Sequence, residues 1–442
     1  MSRELVRLER EQLTSGVYLD TPDEQTPLWK DGLNVIFHED GPRPIKGFSQ
    51  ISFRASTRPV LGMKQVYIPE KGKGYIFYGT DDGLFYWEDG SETSTQVGSG
   101  YNADWWSFAQ WGNWVFAANG RDKLQVWRGP NNEDGGFTSV PDLEGFEIEK
   151  EDPEDEDSDD LPLRPNVIAT YQNMLVAFSP DGEGGEYQRI RACHPDDHLQ
   201  WKPASDNQAV ELIARDLFSS VRAATVTSRG IFFFGRTSGH MLSYVGPPFI
   251  LGQEKIIDQV GIWGPNAVTN VNDQVFGIGP NGVFNISVGG SEEQGPDMEQ
   301  QEANIRYVDR PMVRQHIRES LNREYADKSC VLFDAQQDVL IVGWPGWSYT
   351  LPSEGLALSL NTGGWCPIDF APTGAAPAEV FDFASAGDRR GHIFWHGVEI
   401  PTGNRTPPGA RAELPFRESK SILWARYGIL GYGQGAYGYE EE

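Results

Sequence analysis

The chain has 442 residues, 64 acidic against 37 basic side chains and a net charge of −27, a balance that disfavours a generally basic nucleic-acid-binding surface. Aromatics make up 12% of the sequence, which excludes an acidic disordered chain. Fifty glycines and 29 prolines suit short strands and tight turns and exclude an all-α fold. Three widely spaced cysteines, Cys193, Cys330 and Cys366, support neither a disulfide framework nor a cysteine zinc site and read as core thiols.

Taken in chain order, the N-terminus is charged from Arg3 to Arg7 where a signal peptide needs an apolar stretch, so a soluble chain made in the cytoplasm is expected. Residues 1–55 form a lead-in arm with one short strand, Leu33–Phe37. Residues 74–87 then place an Asp82-Gly83 turn between two aromatic β-prone runs, a strong hairpin signal. The same grammar recurs at Trp114–Ala118, Asn119-Gly120 and Leu124–Trp127, and again at Gln274–Ile278, Asn281-Gly282 and Val283–Ile286. Looser copies start at Asn173, Gly230, Asp338 and Gly391. That makes about seven units at a mean spacing of about 51 residues, near the range of repeat propellers, with no kelch or WD40 signature.

Each meander is aromatic on its faces and cannot bury them alone, and radial packing of neighbouring sheets solves this. The expected fold is therefore all-β, a β-propeller of about seven irregular blades with little helix; two stacked β domains would also fit the irregular spacing. The propeller is expected over residues 56–400, with an acidic insertion at 140–163 and a partly helical one at 296–325. The best helix candidate runs from Arg310 to Asn322, with Asp309 as N-cap and Pro311 near the first turn.

Residues 144–160 hold eleven acids and one lysine, net −10, and read as a solvated charged insertion. They lack the alternating ligands and turn glycine of a calcium loop. Residues 401–442 form a docking tail whose aromatic, glycine-rich end includes Trp424, Tyr427, Tyr432, Tyr437 and Tyr439, sticky enough to dock on the same chain or a neighbour.

For chemistry, the most metal-like cluster is Cys193-His194-Pro195-Asp196-Asp197-His198, but Pro195 disfavours the helix that would align the two histidines, so a polar turn is expected. His392 and His396 lie on an apparent strand, where such a separation spans about 13 Å. Asp81-Asp82 and Asp196-Asp197 read as turn formers. Paired carboxylates are too plentiful to single out a glycosidase, the sialidase aspartate-box order does not occur, and neither does a Gly-x-Ser-x-Gly elbow, a Walker loop or a zincin helix. Catalytic, cofactor-binding and metal-binding residues are accordingly expected to be none, and the chain is not expected to be an enzyme. Trp105, Trp106 and Trp111 could stack on sugars but are more often core.

Three stretches carry a resemblance to a known family: residues 33–48, from Leu33-Asn34-Val35 through Gly41-Pro42-Arg43 to Lys46-Gly47-Phe48; Tyr171–Phe178 with Arg191–Trp201; and Gln259–Pro265 leading to Gly279–Phe284. Their order resembles the propeller-type tail nozzle, tubular or packaged-DNA-stabilisation proteins of short-tailed bacteriophages. The resemblance covers about residues 30–370. It implies a structural protein of the virion tail, made in the host cytoplasm. Its partners would be copies of itself in a ring, expected to be a hexamer, together with the portal or adaptor and the tail-fibre proteins. Double-stranded DNA would pass through without specific binding, with no cofactor and no membrane insertion. Glu151, Asp152, Glu154, Asp155, Glu156, Asp157, Asp159 and Asp160 are expected to line or gate the lumen, and the five tail aromatics to dock between subunits. The alternative is a carbohydrate- or receptor-binding propeller adhesin of the virion.

Overall fold

In the computed structural model the paired aromatic runs become the second and third strands of four-stranded antiparallel meanders, and seven such sheets are arranged as the blades of a propeller. The structure describes residues 14–20, 29, 31–52, 56–129, 135–150, 159–182, 185–288, 303–398, 411–413 and 421–422.

Blade 1 comprises Gly62–Ile68, Lys73–Gly79, Gly83–Glu88 and Thr95–Ser99, and blade 2 Ser107–Trp111, Trp114–Ala118, Gln125–Trp127 and Phe137–Ser139. Blade 3 is Val167–Tyr171, Met174–Phe178, Arg189–Ala192 and Val210–Ile213; blade 4 is Ala223–Thr227, Gly230–Phe234, Ser238–Gly246 and Ile250–Asp258. Blade 5 uses Val268–Val271, Gln274–Gly279, Gly282–Val288 and Ala303–Tyr307, and blade 6 Cys330–Asp334, Val339–Trp344, Glu354–Ser359 and Trp365–Ile368. Blade 7 takes Gly374–Ala376, Ser385–Gly387 and Ile393–Val398, then borrows its outer strand, Gly47–Gln50, from the segment expected as a lead-in arm.

The second strand of each blade faces a neighbouring blade on both sides, which is why its residues are apolar without alternation. Gly230–Phe234 is buried throughout. Its side chains still alternate: Ile231 and Phe233 pack with Val176 and Phe178 of blade 3, while Phe232 and Phe234 pack toward blade 5. Phe178 and Phe233 lie 5.0 Å apart between ring centroids, and Phe234 and Phe284 lie 6.0 Å apart.

The closing seam is polar at its centre. Phe48 pairs with His396 across the borrowed strand, and their rings sit 4.6 Å apart. His396 Nδ1 meets Asp334 Oδ2 of blade 6 at 2.8 Å, with both side chains buried. Gln337 Nε2 donates to the same oxygen at 2.5 Å, and its Oε1 accepts the Lys46 amide at 2.8 Å. Burial pushes the Asp334 carboxyl up, but the His396 and Gln337 bonds outweigh it and hold it below its usual range.

Outside the ring, the hairpin Val35–His38 and Gly41–Pro44 lies against the outer strands of blade 6, where Asn34 N donates to Pro367 O at 2.8 Å and Thr362 Oγ1 to Phe37 O at 2.7 Å. Asp31–Leu33 forms a small sheet with Arg411–Glu413 and Ser421–Ile422, tying the two ends of the chain together.

The helix is shorter than expected, Arg314–Ser320, followed by a 3-10 turn at Arg323–Lys328. Asp309 is not its N-cap: Val313 holds that position, with no side-chain cap bond. The Asp309 carboxylate instead accepts the Val283 amide at 3.1 Å behind the Asn281-Gly282 turn. Gly282 has φ +119°, and a Cβ there would strike that carboxylate, so glycine is required twice over.

Candidate functional site

The first strands of the seven blades line a central cavity of about 920 Å³. We call the face where these strands begin the upper face. There the axis is bridged by contacts between blade entries three blades apart. Asn266 Nδ2, entering blade 5, donates to Leu61 O, entering blade 1, at 2.8 Å. Lys328 Nζ, entering blade 6, donates to Asp104 O, entering blade 2, at 2.5 Å, and lies 3.2 Å from the Asp104 carboxylate. Arg121 holds that carboxylate from its other side at 2.6 Å. Trp106, buried beneath them, donates its indole N–H to Thr80 O at 2.6 Å.

The wall below is neutral and hydrogen-bonded, with Thr170 donating to Gln110 O at 2.8 Å and Asn270 to Val226 O at 2.8 Å. Lys64 and Glu379 form its charged pair, 2.9 Å apart. Gln65 shapes the loop beside them, its Oε1 accepting the amides of Glu379, Val380 and Phe381, each at 3.2 Å. The cavity offers hydroxyls, amides and one ion pair to a neutral polar guest.

A second cluster lies at the foot of the acidic insertion. Arg191, 1% exposed, donates from Nε to Glu211 Oε2 at 3.0 Å and from Nη1 to Pro162 O at 3.0 Å, with Asp181 Oδ1 at 3.4 Å. Arg189 adds Glu186 Oε2 at 3.0 Å. Burial and then repulsion from Glu211 push Glu149 up, and burial pushes Asp181 up despite both arginines. The insertion stands on two feet: Glu147 exchanges backbone bonds with Leu199 and Trp201, both 2.8 Å, and Lys150 pairs with Asp160, its ammonium 3.7 Å from the carboxylate. Asp159 and Asp160 are exposed. Glu151, Asp152, Glu154, Asp155, Glu156 and Asp157 lie outside the described residues, as do Trp424, Tyr427, Tyr432, Tyr437 and Tyr439.

The structure separates the two histidines of the metal-like cluster. His194 Nδ1 accepts the Gln208 amide at 3.0 Å, and Asp196 takes φ +66° in the turn between them. His198 packs against Trp114 at 4.3 Å, with Trp111 and Phe116 each at 5.6 Å, and burial pushes its pKa down to about 4. Among the described residues no group of three or more histidine, cysteine, aspartate or glutamate side chains could hold a metal ion. The three cysteines are free and buried, which pushes Cys193 and Cys366 up to about 12 and Cys330 up as well. Asp81 and Asp82 sit on the blade 1 turn, paired with Arg58. Trp105 and Trp111 are half-buried, with Trp105 Nε1 donating to Asn166 O at 3.1 Å.

Sequence reasoning passed over two exposed apolar groups. Trp347 and Tyr349 stand on the upper turn of blade 6, with the Arg389 guanidinium 5.8 Å from the Tyr349 ring centre. Tyr244, Val245 and Phe249 crown the outer hairpin of blade 4. Pro247-Pro248 between two β-prone runs was the available signal for the latter, since it interrupts a long uncharged stretch with a tight turn.

No protein-family model matches the sequence, and no curated protein matches it. Among solved structures, the chain is similar to the β-propeller domain of Swd1 from Myceliophteria thermophila, with 9% identity, TM-score 0.48 and coverage of 80% of this chain and 100% of that one. A fungal alcohol oxidase solved with copper gives 10% identity, TM-score 0.48 and coverage of 80% and 76%. YCF48 from Cyanidioschyzon merolae gives 9%, 0.45, and 79% and 98%. The sheet order above defines the fold independently of these likenesses.

Proposed function

We propose that the chain is a structural component of a short-tailed bacteriophage tail, a nozzle-type ring protein that retains packaged DNA and walls the channel through which it leaves. The observation that carries this reading is the order of the three sequence stretches together with the elements they form. Residues 33–48 make the hairpin against blade 6 and the start of the closing strand, 171–201 fall in blade 3, and 259–284 enter and build the core hairpin of blade 5. On this reading the copies form a ring of about six. The chain carries no reaction and no cofactor, and it meets the portal or adaptor and the tail fibres.

The bridged axis gives the reading a geometric consequence. With Asn266 and Lys328 tied across the upper face, a duplex has to run between copies and not through a propeller. The wall it passes then belongs to a protein of net charge −27, and like charge keeps DNA from adhering as it moves. In this scheme the acidic insertion, held at Glu147 and Lys150–Asp160, lines or gates the lumen. Deleting residues 151–158 and measuring genome retention and ejection in assembled particles tests that role. Leakier retention or altered ejection is expected, and unchanged behaviour of both would remove the insertion from the mechanism.

One observation favours the second reading, a glycan-binding adhesin: the exposed Trp347 and Tyr349 beside Arg389 make a flat, polar-edged platform of the kind on which sugars stack. Glycan binding by the isolated monomer, lost in Trp347→Ala, would support it.

A further inference from the structure

The outer hairpin of blade 4 is longer than its blade. Pairing of its third strand with the second ends at Leu242, whereas pairing of the third with the fourth continues to Gly246 opposite Ile250. Four residues of the third strand, 243–246, and three of the fourth, 250–252, therefore extend past the second strand as a β-arm of roughly 13 Å, anchored by the buried Ile250 and Leu251, which pack with blade 3. Tyr244 is 43% exposed, Val245 55% and Phe249 74%. Residues 243–252 contain no charged side chain, in a chain of which 23% is charged. Past Leu242 the inner edge of the arm has no strand partner among the described residues, so its backbone groups are open to another chain.

The same molecule offers a pocket of matching chemistry. Between blades 6 and 7, on the upper face, a cavity of about 320 Å³ is lined by Phe48, Phe370, Phe394 and Pro352, with the two arginines on its rim, Arg389 and Arg390, balanced by Asp369 and Asp388, the latter bonded to His392. Phe48 and Phe370 lie 4.1 Å apart, and Phe48 and Phe394 6.5 Å. Its size is at the small end of ligand clefts and suits one aromatic ring with an adjoining proline. The rim guanidiniums are donors, and the open carbonyls of an incoming arm are acceptors.

The geometry points to a contact between copies of this chain in which Phe249 at the tip of one β-arm seats in the Phe48–Phe370–Phe394 pocket of the next. A second copy is the occupant because copies of a −27 protein repel one another wherever charge is exposed, and the arm is the long projecting surface without any. Arm and pocket are different surfaces two and a half blades apart, so the contact is heterologous and propagates from copy to copy, closing into a ring when the rotation permits. Because the arm leaves the lower face and the pocket opens on the upper one, successive discs overlap like tilted tiles. This inference deepens the ring reading and rests on its assembly component alone.

The test uses the full chain in sedimentation and light scattering, together with Phe249→Asp and a pair of single-cysteine chains, Phe249→Cys and Ser353→Cys, mixed with a short bismaleimide. The native thiols are buried, so crosslinking reports the introduced pair. The expected result is a concentration-dependent oligomer, weakened about thirtyfold or more by Phe249→Asp, as for a hot-spot aromatic, and a crosslink between chains. Unchanged far-ultraviolet circular dichroism of Phe249→Asp shows that the loss is not unfolding. An oligomer indifferent to Phe249→Asp overturns the contact and leaves the ring reading standing. An oligomer lost on removing residues 423–442 but not in Phe249→Asp puts the tail in the pocket and overturns it likewise. A monomer at every concentration overturns both, while Phe249-dependent oligomers with no part in genome retention uphold the contact and overturn the nozzle role.

Discussion

The seam between blades 3 and 4 and the seam where the borrowed strand closes the ring share apolar packing but differ in the polar groups buried within them. Between blades 3 and 4 the core of the contact is apolar, Val176 and Phe178 against Ile231 and Phe233, with polar bonds such as the Val221 amide on Ser179 Oγ at its margin, made by segments that follow one another in the chain. At the closure the paired strands Gly47–Gln50 and Ile393–Val398 come from the two ends of the propeller, and beside an apolar layer that includes Leu332, Ile341 and Ala386 the join is keyed by polar groups, His396 on Asp334 and Gln337 on both Asp334 and the Lys46 amide. Apolar burial is non-directional and tolerates slippage, whereas buried polar groups forfeit their hydrogen bonds when displaced. A four-residue strand arriving from far away needs that penalty to find its register. Stability is thus set by the apolar packing common to both seams, and correct closure by the polar cluster added at the second.

The largest expected effect is at the apolar seam. Phe233→Ala removes a fully buried ring and is expected to cost about 3–5 kcal/mol, read in denaturant unfolding as a lower midpoint for the whole chain. At the closure, His396→Ala leaves Asp334 buried beside an empty space and is expected to cost about 3 kcal/mol. It should act locally, so hydrogen exchange is expected to speed up at residues 47–50 while Gly230–Phe234 stays protected. Uniform acceleration in both regions would erase the distinction between the seams.

Next is Asp309, buried by the Gly282-Val283 turn, whose pKa burial raises to about 6. A carboxyl raised on folding stabilises fully below its unfolded value near 4, and that contribution is lost as pH rises through 6, up to about 3 kcal/mol at neutral pH. Asp309→Asn should flatten this part of the stability profile, as seen in melting temperatures between pH 4 and 7. His198, lowered by burial to about 4, has the opposite sign: its contribution is complete above 6.5 and lost as pH falls through 4. The smallest effect is expected from Lys64→Met, which breaks a half-exposed ion pair in the central cavity at less than about 1 kcal/mol.

The core hairpins were legible because a central strand buried on both faces reads as an unbroken apolar run, and Asp82-Gly83, Asn119-Gly120 and Asn281-Gly282 mark the turns. The first strands were not, since strands such as Ala223–Thr227 face a polar cavity on one side and carry small or hydroxylated residues. The closing strand Gly47–Gln50 has one large apolar residue, and its partner is distant, so no local pattern announces it. Asp309 looked like a cap because its position relative to the helix was right; the Val283 amide competed for the carboxylate and won. At the candidate site the charge of the acidic insertion was plain, but its anchoring on Leu199 and Trp201 was not, because those contacts are made by backbone. The exposed arm of blade 4 escaped because an apolar run reads as core until burial is known.

Electron microscopy of the purified full-length chain tests the central functional claim most directly. A closed ring of about six copies around an open lumen with an acidic wall is the expected result. Isolated propellers at all concentrations, or a ring whose lumen is lined by lysine and arginine, would contradict it.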